Sequence, residues 1–302
     1  MCRIGAILTA ACWLILLVGC SSLRGTTPSP PAFEAGVDVA IITTLPAEYH
    51  AVLRKLENVR RVIEPDGRAS VYLWATGEIQ SGDPGNPHRL VVTMLGEAGE
   101  VSGALATKAT IDRWKPRDVL LVGIAGGLHN SLELGDVVIS SQIWGYEHGH
   151  LGKHYDTGGV YFFTPTPTLL DAARTLGPDW RKRIAVSAPD RNALPKVVEG
   201  KTASGNKVIE NTDSEYFAES LLLNIFILAV EMEGAGAAAA VAKDHDSGGT
   251  TGFLMIRGIS DLVKKKTQGD QHRNPQRERW KKYAADVAAS FAVALVESNR
   301  PD

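Results

Sequence analysis

Cysteine is scarce in this chain: its three copies, Cys2, Cys12 and Cys20, all fall within the first twenty of 302 residues. The sequence from Ser21 onward contains no thiol. That part of the chain therefore forms no disulfide of its own, and it has neither a catalytic thiol nor a zinc site built from cysteines.

The chain also lacks an excess of charge of either sign. It has 32 basic and 34 acidic residues, a net charge of −2 and a pI near 6.5. No basic stripe interleaved with aromatic residues occurs, so nucleic acid is not expected as a partner. The short run Lys264–Lys266 is interpreted as a solvated patch.

Long apolar runs are missing too, and the N-terminal one is too short to be a typical membrane span. It covers sixteen mostly apolar residues, Ile4 to Gly19, after the basic Arg3, whereas a span needs about 20. This pattern predicts a signal peptide over residues 1–20.

The end of this run, LVGC (Leu17 to Cys20), resembles the lipobox of bacterial lipoproteins, in which the cysteine is lipidated after cleavage. We therefore expect lipidated Cys20 to anchor the protein to a membrane of the bacterial cell envelope, outside the cytoplasm. Residues 21–36, rich in Ser and Pro, are predicted to be a flexible tether. An uncleaved anchor or an ordinary secretion signal is the alternative.

From Val37 the chain alternates strand-like and helix-like stretches, which predicts an α/β fold with a largely parallel sheet and helices on its faces. One domain over residues 37–300 is favoured over two small ones. The predicted strands are VDVAIITTL, SVYLWATGEI, HRLVVTML, DVLLVGI, DVVISSQIW, RIAVSA, IFILAV and TGFLMIRGI. The predicted helices are Ala47–Leu56, Ser102–Trp114, TPTLLDAARTLG, DSEYFAESLLL, the alanine tract after Glu233 and a long C-terminal helix through Trp280 and Leu295.

Two carboxylates, Glu231 and Glu233, stand between the predicted strand IFILAV and the alanine-rich helix. The end of a strand in an open α/β sheet is the usual place of a ligand crevice. A carboxylate partly removed from water there needs a partner. Two neighbouring sugar hydroxyls can both donate to one carboxylate, and so can a structural arginine.

Other strand ends carry comparable groups. Glu48 follows the first strand near a helix N-terminus, where a helix-start carboxylate is the simpler interpretation. The glycines of GIAGGL (Gly123 to Leu128) permit either close backbone approach to a ligand or a tight turn. GEAGEVSGA (Gly96 to Ala104) can bind an anion through backbone N–H groups at a helix start.

The segment MIRGISD (Met255 to Asp261) places Arg257 inside an apolar strand, where it must be paired if it is buried. A structural ion pair explains Arg257 but leaves Asp261, at the strand end, unexplained. ASGNKV (Ala203 to Val208) offers a further polar strand edge. Three nearby histidines, His148, His150 and His154, have no matching acidic ligand motif, so no metal is expected.

Together, VEMEG, RGISD and GIAGG followed by Gly135–Asp136 resemble the nucleoside phosphorylase superfamily, specifically its methylthioadenosine/S-adenosylhomocysteine nucleosidase branch. The resemblance runs from about Val37 to Ser298. It implies a single α/β domain around a mixed sheet, an active site at strand ends, no cofactor and a homo-oligomer.

The resemblance also implies roles for individual residues. Asp261 would protonate the purine at N7, and Glu48 would orient the attacking water. Glu233 would hold the ribose 2′ and 3′ hydroxyls. The remaining substrate-binding positions would be Met232 against the sugar, Val208 and Ile209 at the base, Arg257 supporting Glu233 or the sugar, Ser260 placing Asp261, and Gly126 in the glycine turn. No role follows for Glu231.

The implied reaction is hydrolysis of the N-glycosidic bond of a purine nucleoside similar to adenosine or methylthioadenosine. This cleavage builds positive charge on the sugar and negative charge on the purine, so the donor Asp261 must hold a proton near neutral pH. Glu48 and Glu233 favour the cationic sugar electrostatically.

Three alternatives remain at this point: a phosphorylase, a nucleoside-binding sensor without turnover, and a structural part of an envelope assembly. A carboxylate about 4 Å from phosphate opposes it by about 4 kcal/mol per charge pair at an effective dielectric of 20, which favours water. Two departures leave the substrate open: Ile124 replaces a small hydroxyl residue of many nucleosidases, and Trp144–Phe163 has no detailed match.

Overall fold

A computed structural model describes most of the chain from Gly36 onward. The described residues are 36–63, 71–81, 85–148, 150–151, 155–156, 161–190, 194–209, 226–263 and 275–299, and they belong to one compact unit, Phe33–Asp302. The predicted signal peptide with Cys20, nearly all of the predicted tether, the predicted helix DSEYFAESLLL and Lys264–Lys266 lie outside these ranges.

Strands and helices alternate along the described chain. The first half contains β1 (Val39–Thr43), α1 (Pro46–Leu53), β2 (Glu57–Arg61), β3 (Leu73–Ile79), β4 (His88–Met94), α2 (Glu100–Trp114), β5 (Asp118–Gly127) and β6 (Val137–Gly145). The second half contains β7 (His150–Leu151), β8 (Tyr155–Asp156), β9 (Phe162–Phe163), α3 (Pro167–Thr175), a 3-10 helix (Pro178–Arg183), β10 (Val197–Ser204), β11 (Ile227–Glu231), α4 (Gly234–Asp246), β12 (Gly252–Leu262) and α5 (Pro275–Ser298).

The described strands other than β7 and β8 form one mixed sheet, in the order β11-β10-β6-β12-β5-β1-β4-β3-β2 with β9 beside β6. Strands β4, β1, β5 and β12 run parallel to one another, as do β6, β10 and β11. The two parallel groups meet in antiparallel pairings of β12 with β6 and of β11 with β5. Because β11 pairs with both β10 and β5, five of these strands close into a ring. The predicted mixed sheet with flanking helices is confirmed.

Side-chain alternation along the central strands explains the two helical layers. On β1, Val39 and Ile41 join one buried cluster with residues of α1, α3 and α5. The intervening Ala40 and Ile42 join a second cluster with residues of α2 and α4. Successive strand residues point to opposite faces, so a strand that is apolar throughout is buried between two layers of helices. Among the described helices none has the length and apolar character that a membrane crossing requires.

The sequence prediction was wrong for RIAVSA, which is not a strand. The segment follows the 3-10 helix, and the backbone N–H groups of Ala185 and Val186 donate to Asp286 at 2.6 and 3.0 Å instead of to a neighbouring strand. Conversely, β10 begins at Val197, well before the predicted polar edge at Ala203. The edge strand β2 is exposed along its length and gave no apolar alternation to detect.

Asp286 joins three parts of the fold although its side chain is fully buried in α5. It accepts Lys55 Nζ at 2.9 Å and Arg54 Nη2 at 3.3 Å from the end of α1, besides the two amides. Burial alone would raise the pKa of Asp286, but these hydrogen bonds lower it below its ordinary value. The carboxylate therefore holds α1, whose first turn carries Glu48, against α5.

We expect Asp286→Ala to lower the free energy of unfolding by about 3–5 kcal/mol, because the buried Lys55 loses its charged partner. Urea unfolding at pH 7 measures this change. The folded-state pKa of Asp286 lies below the unfolded value, so the difference from wild type should shrink as pH falls through the acid range.

Asp112→Ala is the matched control, because its ion pair with Lys108 is about half exposed on α2 and contributes at most about 1 kcal/mol. Equal effects of the two substitutions would contradict the anchoring role of Asp286.

Candidate active site

A cleft opens where the carboxyl ends of β1, β4, β5, β10, β11 and β12 come together. It is lined by Thr44, Leu45, Glu48, Ala98, Ile124, Ala125, Gly126, Lys207, Val208, Ile209, Val230, Glu231, Met232, Glu233, Ser260, Asp261 and Arg277. The cleft holds about 570 Å³ of empty space, counting its mouth toward solvent. Its position at the strand ends is the usual place for a small-molecule ligand in an α/β sheet.

Glu48 enters the cleft from the first turn of α1, which Pro46 opens. Its Oε2 accepts the backbone N–H groups of Thr44 and Leu45, both at 2.8 Å, and its Oε1 accepts that of Ile124 at 2.9 Å. Glu48 is therefore a helix-start carboxylate, as the simpler interpretation had it, because its side chain accepts the N–H of the N-cap residue Leu45. The added bond to β5 fixes the carboxylate at the cleft wall.

Gly123 explains the close approach around Glu48. A Cβ at this position would lie 2.7 Å from Glu48 Oε1 and would also clash with Arg257 Nη1. Only a residue without a side chain lets β5 pass behind these two charged groups. The first glycine of GIAGGL, Gly123, therefore makes room for Glu48 and Arg257.

Arg257 is fully buried behind the cleft and is shared by two carboxylates. Its Nη2 donates to Glu231 Oε2 and, at 3.2 Å, to Glu233 Oε2. Burial alone would lower the pKa of Arg257, but the charges of Glu231, Glu233 and Glu48 raise it above its ordinary value. The sequence left two kinds of partner open for these glutamates, sugar hydroxyls and a structural arginine. The arginine is present, and Glu233 still lines the cleft.

Glu231, for which the sequence suggested no role, anchors this arrangement. Besides Arg257 it accepts the backbone N–H groups of Glu233 at 3.0 Å and of Gly234 at 2.9–3.0 Å. It thus satisfies amides at the start of α4 and orients the guanidinium. An acidic residue three positions before the first helical residue, Gly234, was the signal that sequence reasoning left unused.

Glu233 is held from the other side by the loop before α2. Its Oε1 accepts the N–H of Gly99 at 3.3 Å, and the neighbouring N–H of Glu100 donates to Asn206 Oδ1 at 2.9 Å. The positive φ of Gly99, 122°, is accessible to glycine. Of these two backbone donors, that of Gly99 therefore meets a carboxylate of the protein itself, and that of Glu100 meets an amide oxygen.

Asp261 lies at a register shift in the pairing of β12 with β5. Ile259 pairs with Ala125 and Asp261 with Gly126, so Ser260 is the extra residue of a bulge. The Ser260 hydroxyl donates to Asp261 Oδ1 at 2.7 Å. Bulges redirect side chains, and this one places the carboxyl beside Gly126 at the cleft.

The structure brings most of the predicted site residues into this one cleft, namely Glu48, Gly126, Val208, Ile209, Met232, Glu233, Ser260 and Asp261. Arg257 lies behind them. Ala98 and Lys207 also line the cleft, and they lie in two segments that the sequence indicated without naming these residues. Arg277 lines it as well and was not predicted. Of the three histidines considered for zinc, His154 lies outside the described residues, and the described part of the chain contains no group of three or more His, Cys, Asp or Glu suited to a metal.

An α/β sheet with acidic side chains converging at its strand ends defines a small-molecule site rather than a macromolecular interface. The chain matches the phosphorylase superfamily profile over residues 38–297. It is 28% identical over 241 residues to the 5′-methylthioadenosine/S-adenosylhomocysteine nucleosidase of Desulfotalea psychrophila, covering 80% of this chain and 91% of that protein. The corresponding Bacillus licheniformis nucleosidase is 30% identical over 185 residues, 59% of this chain and 71% of the relative.

Solved structures give the same result. The Neisseria meningitidis nucleosidase in complex with methylthio-immucillin-A superposes with a TM-score of 0.64 at 25% identity, covering 86% of this chain and 98% of that one. The Colwellia psychrerythraea enzyme in complex with adenine shares the fold with a TM-score of 0.66 at 23% identity, covering 87% and 96%. The chain belongs to the phosphorylase superfamily.

Two carboxyl groups of the site region should titrate near neutral pH. Burial, with the charges of Glu231 and Glu48 and against that of Arg257, raises the pKa of Glu233 to about 7. Burial, with the charges of Glu147 and Glu231, likewise raises the pKa of Glu100 to about 7. Because the unfolded state ionises first, each group lowers stability as pH rises from about 4.3 toward 7.

We expect Glu231→Gln to lower the pKa values of Glu233 and Glu100, because its charge raises both. Glu147→Gln should lower the pKa of Glu100 and leave that of Glu233 in place. Carbon-13 NMR titration of labelled glutamate carboxyls measures both midpoints. A Glu233 midpoint that responds equally to the two substitutions would refute this charge arrangement.

Proposed function

We propose that this protein hydrolyses the N-glycosidic bond of a purine nucleoside similar to adenosine or methylthioadenosine, releasing the free base and the sugar. The main observation behind this proposal is that Glu48, Glu233 and Asp261 line one cleft although they are far apart in the sequence. The nucleosidase relatives and the superfamily membership support the same activity.

The proposed mechanism uses each acid once. A water held by Glu48 attacks C1′ of the sugar and passes a proton to the Glu48 carboxylate, while the bond from C1′ to N9 breaks and its electron pair passes to the purine. Asp261 donates a proton to N7 of the purine, so the base leaves in a neutral form. The Ser260 hydroxyl holds the Asp261 carboxyl in place from Oδ1.

Charge placement favours the transition state of this reaction. Glu233 and Glu48 are buried carboxylates beside the sugar position, and electrostatic interactions are stronger away from water. Arg257 contacts Glu231 and Glu233 from behind the cleft, and its charge lowers the pKa of Glu233 against the larger effect of burial. In the proposed complex the ribose 2′ and 3′ hydroxyls donate to Glu233, which adds further partners for its ionised form.

Water rather than phosphate is the nucleophile in this proposal. Glu48, with Oε1 and Oε2 both bonded to backbone N–H groups, occupies the nucleophile side of the cleft. A phosphate beside it is opposed by about 4 kcal/mol per charge pair at 4 Å and an effective dielectric of 20. The N–H groups of Gly99 and Glu100 already serve Glu233 and Asn206.

Incubation of the mature protein with adenosine, inosine and methylthioadenosine, with and without phosphate, tests the proposal. Release of free base without phosphate supports a nucleosidase. Release that requires phosphate identifies a phosphorylase, saturable binding without release identifies a sensor, and no binding leaves a structural role in the envelope.

Asp261→Asn should lower kcat about 10²–10⁴-fold, because the amide replaces the proton donor. Nucleoside binding should persist, since the side chain keeps its shape, and isothermal titration calorimetry measures it. Ser260→Ala should lower kcat far less, by about tenfold, because it removes only the hydrogen bond to Asp261. Turnover by Asp261→Asn close to wild type would exclude Asp261 as the donor.

We also propose that the protein is anchored to the cell envelope through lipidated Cys20. The lipobox-like LVGC and the Ser- and Pro-rich residues after it support this. Wild type should incorporate a labelled fatty acid and sediment with membranes, whereas Cys20→Ser should do neither. The anchor would be refuted if wild type and Cys20→Ser sedimented alike and neither incorporated the labelled fatty acid.

A homo-oligomer remains part of the proposal. Val101 and Leu105, four residues apart on α2, are apolar side chains that are 71% and 58% exposed in the single chain. Such a surface suits burial against a second copy. Sedimentation of the mature protein as a monomer at micromolar concentration would argue against it.

A further inference from the structure

The direction of Asp261 depends on the backbone at the end of β12 as well as on its own side chain. The Ser260 hydroxyl holds one carboxyl oxygen, but the bulge at Ser260 interrupts the regular ladder of β12 with β5. A proton donor has to lie within hydrogen-bond reach of the atom that it protonates. The backbone on the far side of Asp261 therefore has to be fixed as well.

Leu262, the residue after Asp261, directs its backbone N–H away from β5. The next N–H, that of Val263, donates to Gly127 O of β5 at 2.8 Å, and successive N–H groups of a strand point to opposite edges. The N–H of Leu262 therefore lies at the edge of β12 that faces β6.

The acceptor for this N–H is a side chain rather than a strand. Strand β6 pairs with β12 over Ile256–Gly258, and the N–H of Ile259 then donates to the carbonyl of Asp136 at 2.8 Å. At Leu262, Gln276 Oε1 accepts the N–H at 2.8 Å. The glutamine thus supplies the acceptor that backbone carbonyls supply earlier along this edge.

Gln276 presents its side chain from a fixed position in the first turn of α5. It follows Pro275, the first residue of the helix, where the ring of proline suits the helical backbone. Trp280 and Tyr283, in the next turns, are buried in the core. The N–H of Leu262 is thereby held by a helix that packs firmly against the sheet.

We propose that Gln276 is a positioning residue for Asp261, the proposed proton donor. It holds the backbone directly after Asp261 through the N–H of Leu262, while Ser260 holds the carboxyl itself. The two contacts together set the direction of the carboxyl toward the base. This inference rests on the proposed nucleosidase function and adds a residue that is not part of the cleft lining.

Gln276→Ala should lower kcat about five- to tenfold, because a partly buried N–H is left without its acceptor. KM should change less than about threefold, since the glutamine acts through Asp261 and not on the bound nucleoside. Gln276→Glu keeps an acceptor oxygen at the same reach and should restore kcat to within about threefold of wild type. Base release from the nucleoside that wild type cleaves fastest measures these values, and an Ala variant with wild-type kcat would overturn the inference.

A double-mutant cycle separates positioning from a general loss of structure. The proton donor is already absent in Asp261→Asn, so the addition of Gln276→Ala should lower kcat by less than about twofold further. The full five- to tenfold loss in that background would overturn the inference, because Gln276 would then act independently of Asp261.

Arg279→Gln is the matched control at the start of α5. It removes an arginine that is 60% exposed and pairs with Asp190 at 2.7 Å on the surface, so kcat should stay within about twofold of wild type. Equal losses in Arg279→Gln and Gln276→Ala would overturn the specific role of the glutamine.

Amide hydrogen exchange tests the contact without turnover. The N–H of Leu262 should exchange at least about tenfold faster in Gln276→Ala than in wild type, and an unchanged rate would overturn the inference alone. If wild type releases base from none of adenosine, inosine and methylthioadenosine, the proposed function fails, and the inference fails with it.

Discussion

The site depends on one buried interaction, the guanidinium of Arg257 shared between Glu231 and Glu233. A charge this far from water is stable only when it is paired, and each partner has a second attachment. Glu231 is fixed by the amides at the start of α4, and Glu233 by the amide of Gly99. The start of α4, the end of β11, the middle of β12 and the loop before α2 are therefore held to a common centre. Disruption of the arginine disturbs all four.

The sheet determines why these charges meet. The carboxyl ends of β5 and β11 pair with each other, Gly126 with Val230 and Gly127 with Ala229, which brings the ends of the two parallel groups together. Residues at or just after the ends of six strands line the cleft. Local features of the backbone then determine where the side chains point. Glu48 faces the opening because it caps α1, and Asp261 because Ser260 makes a bulge. Glu48 and Arg257 both fit against β5 because Gly123 has no side chain. Backbone geometry places the acids, and the buried arginine provides a positive charge beside two of them in a poorly solvated space.

The sequence predicted the architecture and the main site residues because both produce short-range signals. Apolar strands ending in an acid, as at Glu233 and Asp261, are visible in the sequence, and the motifs VEMEG and RGISD carry the family resemblance. Glu231 was left without a role because its partner, Arg257, is 26 positions away and its amide donors exist only once α4 forms. RIAVSA was mistaken for a strand because nothing local reveals that Asp286, about 100 residues later, takes its amides. Arg277 gave no motif, since it enters the site only through the placement of α5.

The closed ring of strands has a consequence for dynamics. Strand β11 is paired along both edges, with Thr202 and Ala203 of β10 on one side and Gly126 and Gly127 of β5 on the other. The strand cannot separate from one neighbour and keep the rest of the sheet intact as an edge strand does. Over these residues β11 presents no free edge to solvent, so we expect its amide protons to exchange slowly in the segment leading to Glu231 and Glu233.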